Sequence, residues 1–275
     1  MKLSIVLLTW NSRQFIQGCL DSLAPQPPHD KELIVVDNGS ADGSPRLVRA
    51  RWPGARIIAN TANRGVAPAR NQGIAAARGE YILILDIDTV ARPGALAALV
   101  EALDSDPHAG VAGARLEDPH GQLQYTCREL PTLWSKIGRQ LPGSLGRRVL
   151  RDDELRGWDH AGPRYVGYVI GACQLLRRSA LDAVGRYDER IFYGPEDVDL
   201  CLRMWQAGWR VRYDPAAVFE HHERRITRAA PWRNPLLTAH IAGLAWYFWK
   251  HGYLLRAPRF AAGPPEQAGA PARPT

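Results

Sequence analysis

The stretch Tyr81-Ile82-Leu83-Ile84-Leu85-Asp86-Ile87-Asp88 constrains this chain more than any other, because an unbroken apolar run stops at two carboxylates one residue apart. A run of this length and composition is expected to form a strand buried on both faces, as in a parallel sheet covered by helices. Side chains alternate along extended backbone, so Asp86 and Asp88 are expected on the same side just past the strand's end. Two like charges held together need neutralising, and hard divalent cations such as Mg2+ or Mn2+ take carboxylate oxygens while leaving room for phosphate. The pattern points to a metal and diphosphate site. Taken alone, it is equally a strand followed by a polar turn.

The flanking sequence repeats a strand-then-helix pattern. Leu3 to Leu8 has strand length, Thr9-Trp10-Asn11-Ser12 supplies a turn and a cap, and Phe15, Ile16, Cys19, Leu20 and Leu23 fall on one helical face. Leu33 to Val36 predicts a second buried strand ending at Asp37-Asn38-Gly39-Ser40, and Ser44-Pro45 opens a helix. Arg56 to Ala59 and Val66 to Ala77 predict a third strand and an Ala-rich helix. Such alternation over about 100 residues calls for a parallel sheet with helices on both faces, where ligands sit at the carboxyl ends of strands. Asp37 and the Asp86/Asp88 pair fall at such ends.

Further on, a helix from Pro93 through Leu103 and a strand from Gly110 to Leu116 are expected. Pro131 to Gly162 reads as an irregular insert, of the kind that covers an active site or merely connects elements. Gly167 and Gly171 allow close backbone approach to a ligand. Ser179 is expected to cap a short helix. Pro195-Glu196-Asp197-Val198-Asp199 opens another, with acidic residues where the macrodipole favours them and with Asp199 pairing Arg203 on its surface. Trp209 to Tyr213 and Ala217 to Phe219 read as two strands.

The 275 residues, 45% apolar, suit one large α/β domain over residues 1–225, followed by a helical extension over 226–256 and a disordered tail over 257–275. Lys and Arg outnumber Asp and Glu by 35 to 28, and the net charge of +7 fits an anionic substrate or an anionic membrane surface; no nucleic-acid motif is visible. Cys19, Cys127, Cys173 and Cys201 lack CxxC spacing, which argues for reduced thiols in a cytoplasmic protein rather than zinc or a disulfide framework. Neither a secretory leader nor an uninterrupted membrane span is expected. Leu236 to Leu255 is expected to pack on the domain. The alternative is an amphipathic helix on the inner face of the cytoplasmic membrane, since Arg224, Arg225, Arg228, Arg233, Lys250 and Arg256 flank it.

With these pieces in order, Ser4 to Asn11, Val35 to Ser44, Asn63-Arg64-Gly65 with Ala69 to Gly73, Leu85 to Asp88, and Glu196 to Arg203 together resemble the family 2 glycosyltransferases of the GT-A fold, particularly rhamnosyltransferase-like bacterial members. The match spans residues 3 to about 225. The resemblance implies a Rossmann-like, mostly parallel central sheet flanked by helices, and a nucleoside-diphosphate sugar donor. It implies that Asp37 accepts hydrogen bonds from the pyrimidine base, with Thr9, Asn11 and Asn38 lining the pocket, and that Arg70 contacts the nucleotide or diphosphate. Asp86 is then expected near the ribose or sugar and Asp88 on a divalent metal, Mn2+ or Mg2+. Asp197 becomes the base that deprotonates the acceptor hydroxyl in an inverting displacement, with Glu196 positioning acceptor or base. A downstream His completes the metal site or meets the diphosphate, and His221 and His222 are adjacent candidates. Arg224, Arg225 and Thr227 are further candidates for phosphate contact. The implied donor is deoxythymidine-linked rhamnose, and the acceptor a cell-surface glycan or lipid-linked intermediate.

Leu85-Asp86-Ile87-Asp88-Thr89 also resembles the nucleophile motif of haloacid-dehalogenase-like phosphatases, with Asp86 as nucleophile and Asp88 as acid/base. Three strand-helix units precede it, however, and Asp37 with its turn would go unexplained. A nicotinamide-dependent dehydrogenase lacks its Gly-x-Gly-x-x-Gly after the first strand. A non-catalytic nucleotide-sugar-binding relative is disfavoured by the presence of Asp37, Asp86, Asp88 and Asp197 together.

Overall fold

The computed structural model describes residues 1–138, 141–222 and 235–260; Arg224, Arg225, Thr227, Arg228, Arg233 and most of the expected tail lie outside them. The first half alternates β1 (Leu3–Thr9), α1 (Arg13–Leu23), β2 (Lys31–Asp37), α2 (Ser44–Arg51), β3 (Arg56–Ala59), α3 (Val66–Ala76) and β4 (Tyr81–Asp86). Then follow β5 (Thr89–Ala91), α4 (Ala95–Asp104), β6 (Ala109–Glu117), β7 (Leu123–Gln124), β8 (Cys127–Arg128), α5 (Leu133–Gly138) and α6 (Gly143–Asp153). The remainder is β9 (Arg164–Tyr165), β10 (Tyr168–Val169), β11 (Cys173–Arg177), α7 (Arg178–Val184), α8 (Glu196–Gln206), β12 (Arg210–His221) and α9 (Pro235–His251).

The main sheet runs β3-β2-β1-β4-β11-β6-β12-β5. Alternate side chains of β4 feed two cores: Leu83 and Leu85 pack with Leu20 and Leu99 on one face, Ile82 and Ile84 with Ile74 and Leu200 on the other. The strands β3, β2, β1 and β4 pair in parallel, as do β6 and β12, but β11 lies antiparallel between β4 and β6. The sheet is therefore mixed. Because two antiparallel pairings restore the original direction, β12 still points the same way as β1, β2 and β4, and their carboxyl ends emerge on one edge.

Several local expectations are corrected. The insert between Pro131 and Gly162 holds two helices, with Val149 of α6 packed against Gly138 of α5. The stretch from Tyr165 to Leu176 holds three short strands, β9, β10 and most of β11. Helix α7 begins at Arg178 without a side-chain cap, so Ser179 lies inside it. The two strands expected after Trp209 are one, bulged where Pro215 cannot donate to the ladder.

Asp199 is buried rather than on the surface of α8. It accepts from Arg203 Nε at 2.9 Å and from Lys250 Nζ at 2.6 Å, while His251 Nε2 lies at 2.9 Å. Lys250 also reaches Asp188 at 2.9 Å, which accepts from Trp246 Nε1, and Tyr247 and Phe248 are buried in the core, so α9 is fastened to α8. No helix among the described residues is long and apolar enough to cross a membrane. Burial alone would raise the Asp199 carboxyl, but His251, Arg203 and Lys250 outweigh it and hold it below the usual carboxylate range. A depressed carboxyl stabilises the fold above its unfolded-state value and loses that contribution as pH falls through its folded value. Asp199→Ala removes the buried carboxylate that Arg203, Lys250 and His251 share, leaving Lys250 only Asp188 and Arg203 only backbone carbonyls, and is expected to cost ~3 kcal/mol in urea unfolding at neutral pH. The gap from wild type should narrow as the pH falls below about 4.

Candidate active site

The edge where β1, β2, β4 and β12 end gathers the site. Strand β4 stops at Asp86, and the turn Ile87-Asp88 leads into β5, closed by Thr89 Oγ1 donating to the Asp86 carbonyl at 2.7 Å. The two aspartates thus converge through a turn, not through strand alternation. Strand β5 pairs with the end of β12, His221 opposite Thr89, and the His222 backbone N–H donates to the Asp88 carbonyl at 2.9 Å. Ligating atoms of Asp86, Asp88 and His221 consequently lie within 4.8 Å of one another.

The structure separates the adjacent histidines. His221 is buried, with Nε2 3.6 Å from Asp88, whereas His222 Nε2 lies 2.9 Å from Glu220 and its ring rests against Phe15, outside the cluster. His222 therefore does not fit the expected ligand role. His221 Nδ1 sits 2.7 Å from Gln124 Oε1, and Gln124 Nε2 donates to the His221 carbonyl at 2.9 Å. An amide oxygen only accepts, so Nδ1 carries a hydrogen and Nε2 is the ring nitrogen turned toward Asp88. Gln124 was not legible in the sequence, because only the pairing of β7 with β6 brings it beside the end of β12.

At the ends of β1 and β2, Thr9 and Asp37 are register partners. Asp37 Oδ2 accepts from the Ser40 N–H at 3.2 Å, while Asp37 Oδ1 and Thr9 Oγ1 are buried without a hydrogen-bond partner. Two orphaned polar atoms side by side suit the donor and acceptor edge of a base. Asn38 and Asn11 serve this pocket differently from the expectation. The Asn38 amide is committed to Asn63, Gly65, Asn60 and Arg64, pinning the loop before α3. Asn11, at φ +47°, accepts from the Ala41 N–H at 2.9 Å and ties the first turn to the second.

Arg70, expected at the diphosphate, turns inward. Nη1 donates to Glu196 Oε1 at 3.0 Å, and Nη2 donates to Asp86 Oδ1 at 2.9 Å and to the Gly171 carbonyl at 2.8 Å. Burial opposes its charge, but Asp86 and Glu196 raise its pKa above the ordinary guanidinium value. A Cβ at Gly171 would collide with this guanidinium, and one at Gly167 with the backbone of Leu130, so both glycines admit protein rather than ligand. The Glu196 carboxyl is pushed up by burial and then by Asp197, with Arg70 pulling the other way; the shared guanidinium does not fully offset the loss of water. Its Oε2 is buried without a partner. Asp197 is partly exposed at the start of α8, its Oδ2 accepting from the Gly171 N–H and its Oδ1 from the Val198 N–H, each at 2.8 Å.

Residues 4–185 match the family model for glycosyl transferase family 2. The chain is 30% identical over 245 residues to the N-acetylglucosaminyl-diphospho-decaprenol L-rhamnosyltransferase of Mycobacterium tuberculosis, covering 83% of this chain and 78% of that protein. It is 40% identical over 223 residues to the succinoglycan biosynthesis protein ExoO of Rhizobium meliloti, covering 80% and 60% respectively. Its fold is similar to that of the mannosyltransferase PcManGT from Pyrobaculum calidifontis in complex with GDP-Man and Mn2+, with a TM-score of 0.59 at 23% identity over 91% of this chain and 73% of that one. It is also similar to GalNAc-T7 with UDP, GalNAc and Mn2+, at a TM-score of 0.62, 17% identity, and 80% and 44% coverage. The chain belongs to glycosyl transferase family 2, with a GT-A fold and a rhamnosyltransferase-like sequence.

Proposed function

We propose that this glycosyltransferase moves rhamnose from deoxythymidine diphosphate rhamnose to a hydroxyl of a lipid-linked, GlcNAc-bearing acceptor, with inversion. The observation that carries the reading is the convergence of Asp86, Asp88 and His221 on the edge that also holds Asp37 and Asp197. The sugar and the acceptor follow the mycobacterial relative's name, and the deoxythymidine diphosphate carrier follows from the resemblance of the sequence to rhamnosyltransferase-like members of the family.

Two carboxylates and an imidazole whose Nε2 faces them suit Mn2+ or Mg2+. Asp86, Asp88 and His221 would hold a divalent cation, which would supply positive charge to neutralise the negative charge on the departing diphosphate. The orphaned Asp37 Oδ1 accepts an N–H of the base, and Thr9 Oγ1 complements it. Asp197, oriented by two backbone N–H groups, takes the acceptor proton as the hydroxyl attacks the anomeric carbon. Glu196 has one oxygen bound to Arg70, and it holds Arg70 against Asp86.

A donor panel screened by thermal shift with Mn2+ tests the reading. Deoxythymidine diphosphate rhamnose should raise the melting temperature most, and no shift with any nucleotide sugar would sink the proposal. Asp197→Asn should keep donor binding while transfer falls by on the order of 10²–10⁴; unchanged transfer would remove Asp197 as the base. In calorimetric titration with Mn2+, Asp88→Ala should lose most of the binding. Gln124→Leu should weaken it ~10–100-fold, and wild-type affinity would show that the Gln124 hydrogen bond does not prepare His221.

A further inference from the structure

We infer that the helical hairpin α5–α6, together with the segment after α9, is a docking face for an anionic bilayer. On α5, Leu133, Trp134 and Ile137 stand at i, i+1 and i+4 and point outward together, with Trp134 49% and Ile137 51% exposed. Leu141, just before α6, and Leu145, in its first turn, are exposed as well. The hairpin is held rigid from behind, where Gly138 meets Val149 and Gly146 lies so close to the Leu141 carbonyl that a Cβ there would collide. The Leu133 N–H donates to the Leu254 carbonyl at 2.7 Å, which joins the hairpin to Leu254 and Leu255, the latter 72% exposed. Scattered exposed leucines need no explanation, but so many large apolar side chains on two joined segments exceed that background.

The charge around this face selects its occupant. Leu130 to Arg151 carries five Lys or Arg and no Asp or Glu, and Tyr253 to Phe260 carries two Arg and no acid. Arg147 and Arg148 are exposed beside Leu145, and Arg256 and Arg259 are exposed beside Leu255. The adjoining exposed Asp152 pairs with Arg151 at 3.3 Å, so these two together add no net charge and Arg147 and Arg148 carry the positive charge of α6. An apolar strip with an interfacial Trp, rimmed mainly by cations, with Glu129 the exposed acid beside Arg256 and Arg259, matches acyl chains beneath anionic headgroups. A second copy of the chain is a poor match, because a two-fold contact through this face sets the same arginines against each other.

Sedimentation of the full chain with vesicles tests this. The protein should bind phosphatidylcholine vesicles containing phosphatidylglycerol, bind pure phosphatidylcholine far less, and dissociate at high salt. Trp134→Ser with Ile137→Ser, and separately Arg147→Glu with Arg148→Glu, should each weaken binding at least about tenfold, with unchanged melting temperature and unchanged Mn2+-dependent donor hydrolysis. Equal binding to both vesicles, no binding, wild-type binding by both variants, or a dimer in light scattering that these substitutions dissociate would each overturn the proposal. Vesicle binding supports it whether or not the donor is hydrolysed, so its failure is distinct from failure of the transfer reading.

Discussion

The site depends on one buried guanidinium. Arg70 spans from Asp86, at the end of β4, to Glu196, at the start of α8, elements far apart in sequence. A charge taken from water is tolerable only when it is paired and hydrogen-bonded, and Arg70 meets that condition through two carboxylates and the Gly171 carbonyl. The geometry needs a planar fork of donors, and it needs a residue without a side chain at position 171. The Gly171 peptide contributes on both sides, its carbonyl accepting from Arg70 and its N–H donating to Asp197. Metal-ligand candidates and candidate base are thus set relative to each other by one peptide unit and one side chain.

Helix α8 is held again on its other flank. Asp199, one turn from the site's acidic residues, is paired with Arg203 on its own helix and with Lys250 and His251 of α9. Asp188 and Trp246 extend that attachment. A helix bearing the candidate base is therefore clamped between Arg70 and the C-terminal helix, which favours preorganisation over adjustment on binding. The price is two buried or half-buried ionic clusters, each sensitive to loss of a single partner.

The sequence makes the first half of the fold readable because β1, β2 and β4 are buried on both faces and so appear as continuous apolar runs, each ending at the sheet edge that ligands use. The carboxylates at those ends were legible for the same reason. The reversal of β11 was not, since an antiparallel strand inside a covered sheet has the same apolar composition as its neighbours. Nor was α5, a six-residue helix whose outward apolar residues mask the usual amphipathic period, while α6 is amphipathic but opens on Pro142 and Gly143 and carries Gly146, which read as breaks. The choice between His221 and His222, the inward turn of Arg70 and the support from Gln124 depend on pairings between distant segments, for which local pattern holds no signal.

The measurement that bears most directly on this account is donor binding and transfer by Arg70→Lys. An ammonium is a compact point donor and cannot span Asp86, Glu196 and Gly171 at once. The account expects a folded protein in which Mn2+-dependent donor binding and transfer both fall at least about tenfold, the equivalent of ~1.4 kcal/mol each. Wild-type binding and wild-type transfer in that variant would contradict it.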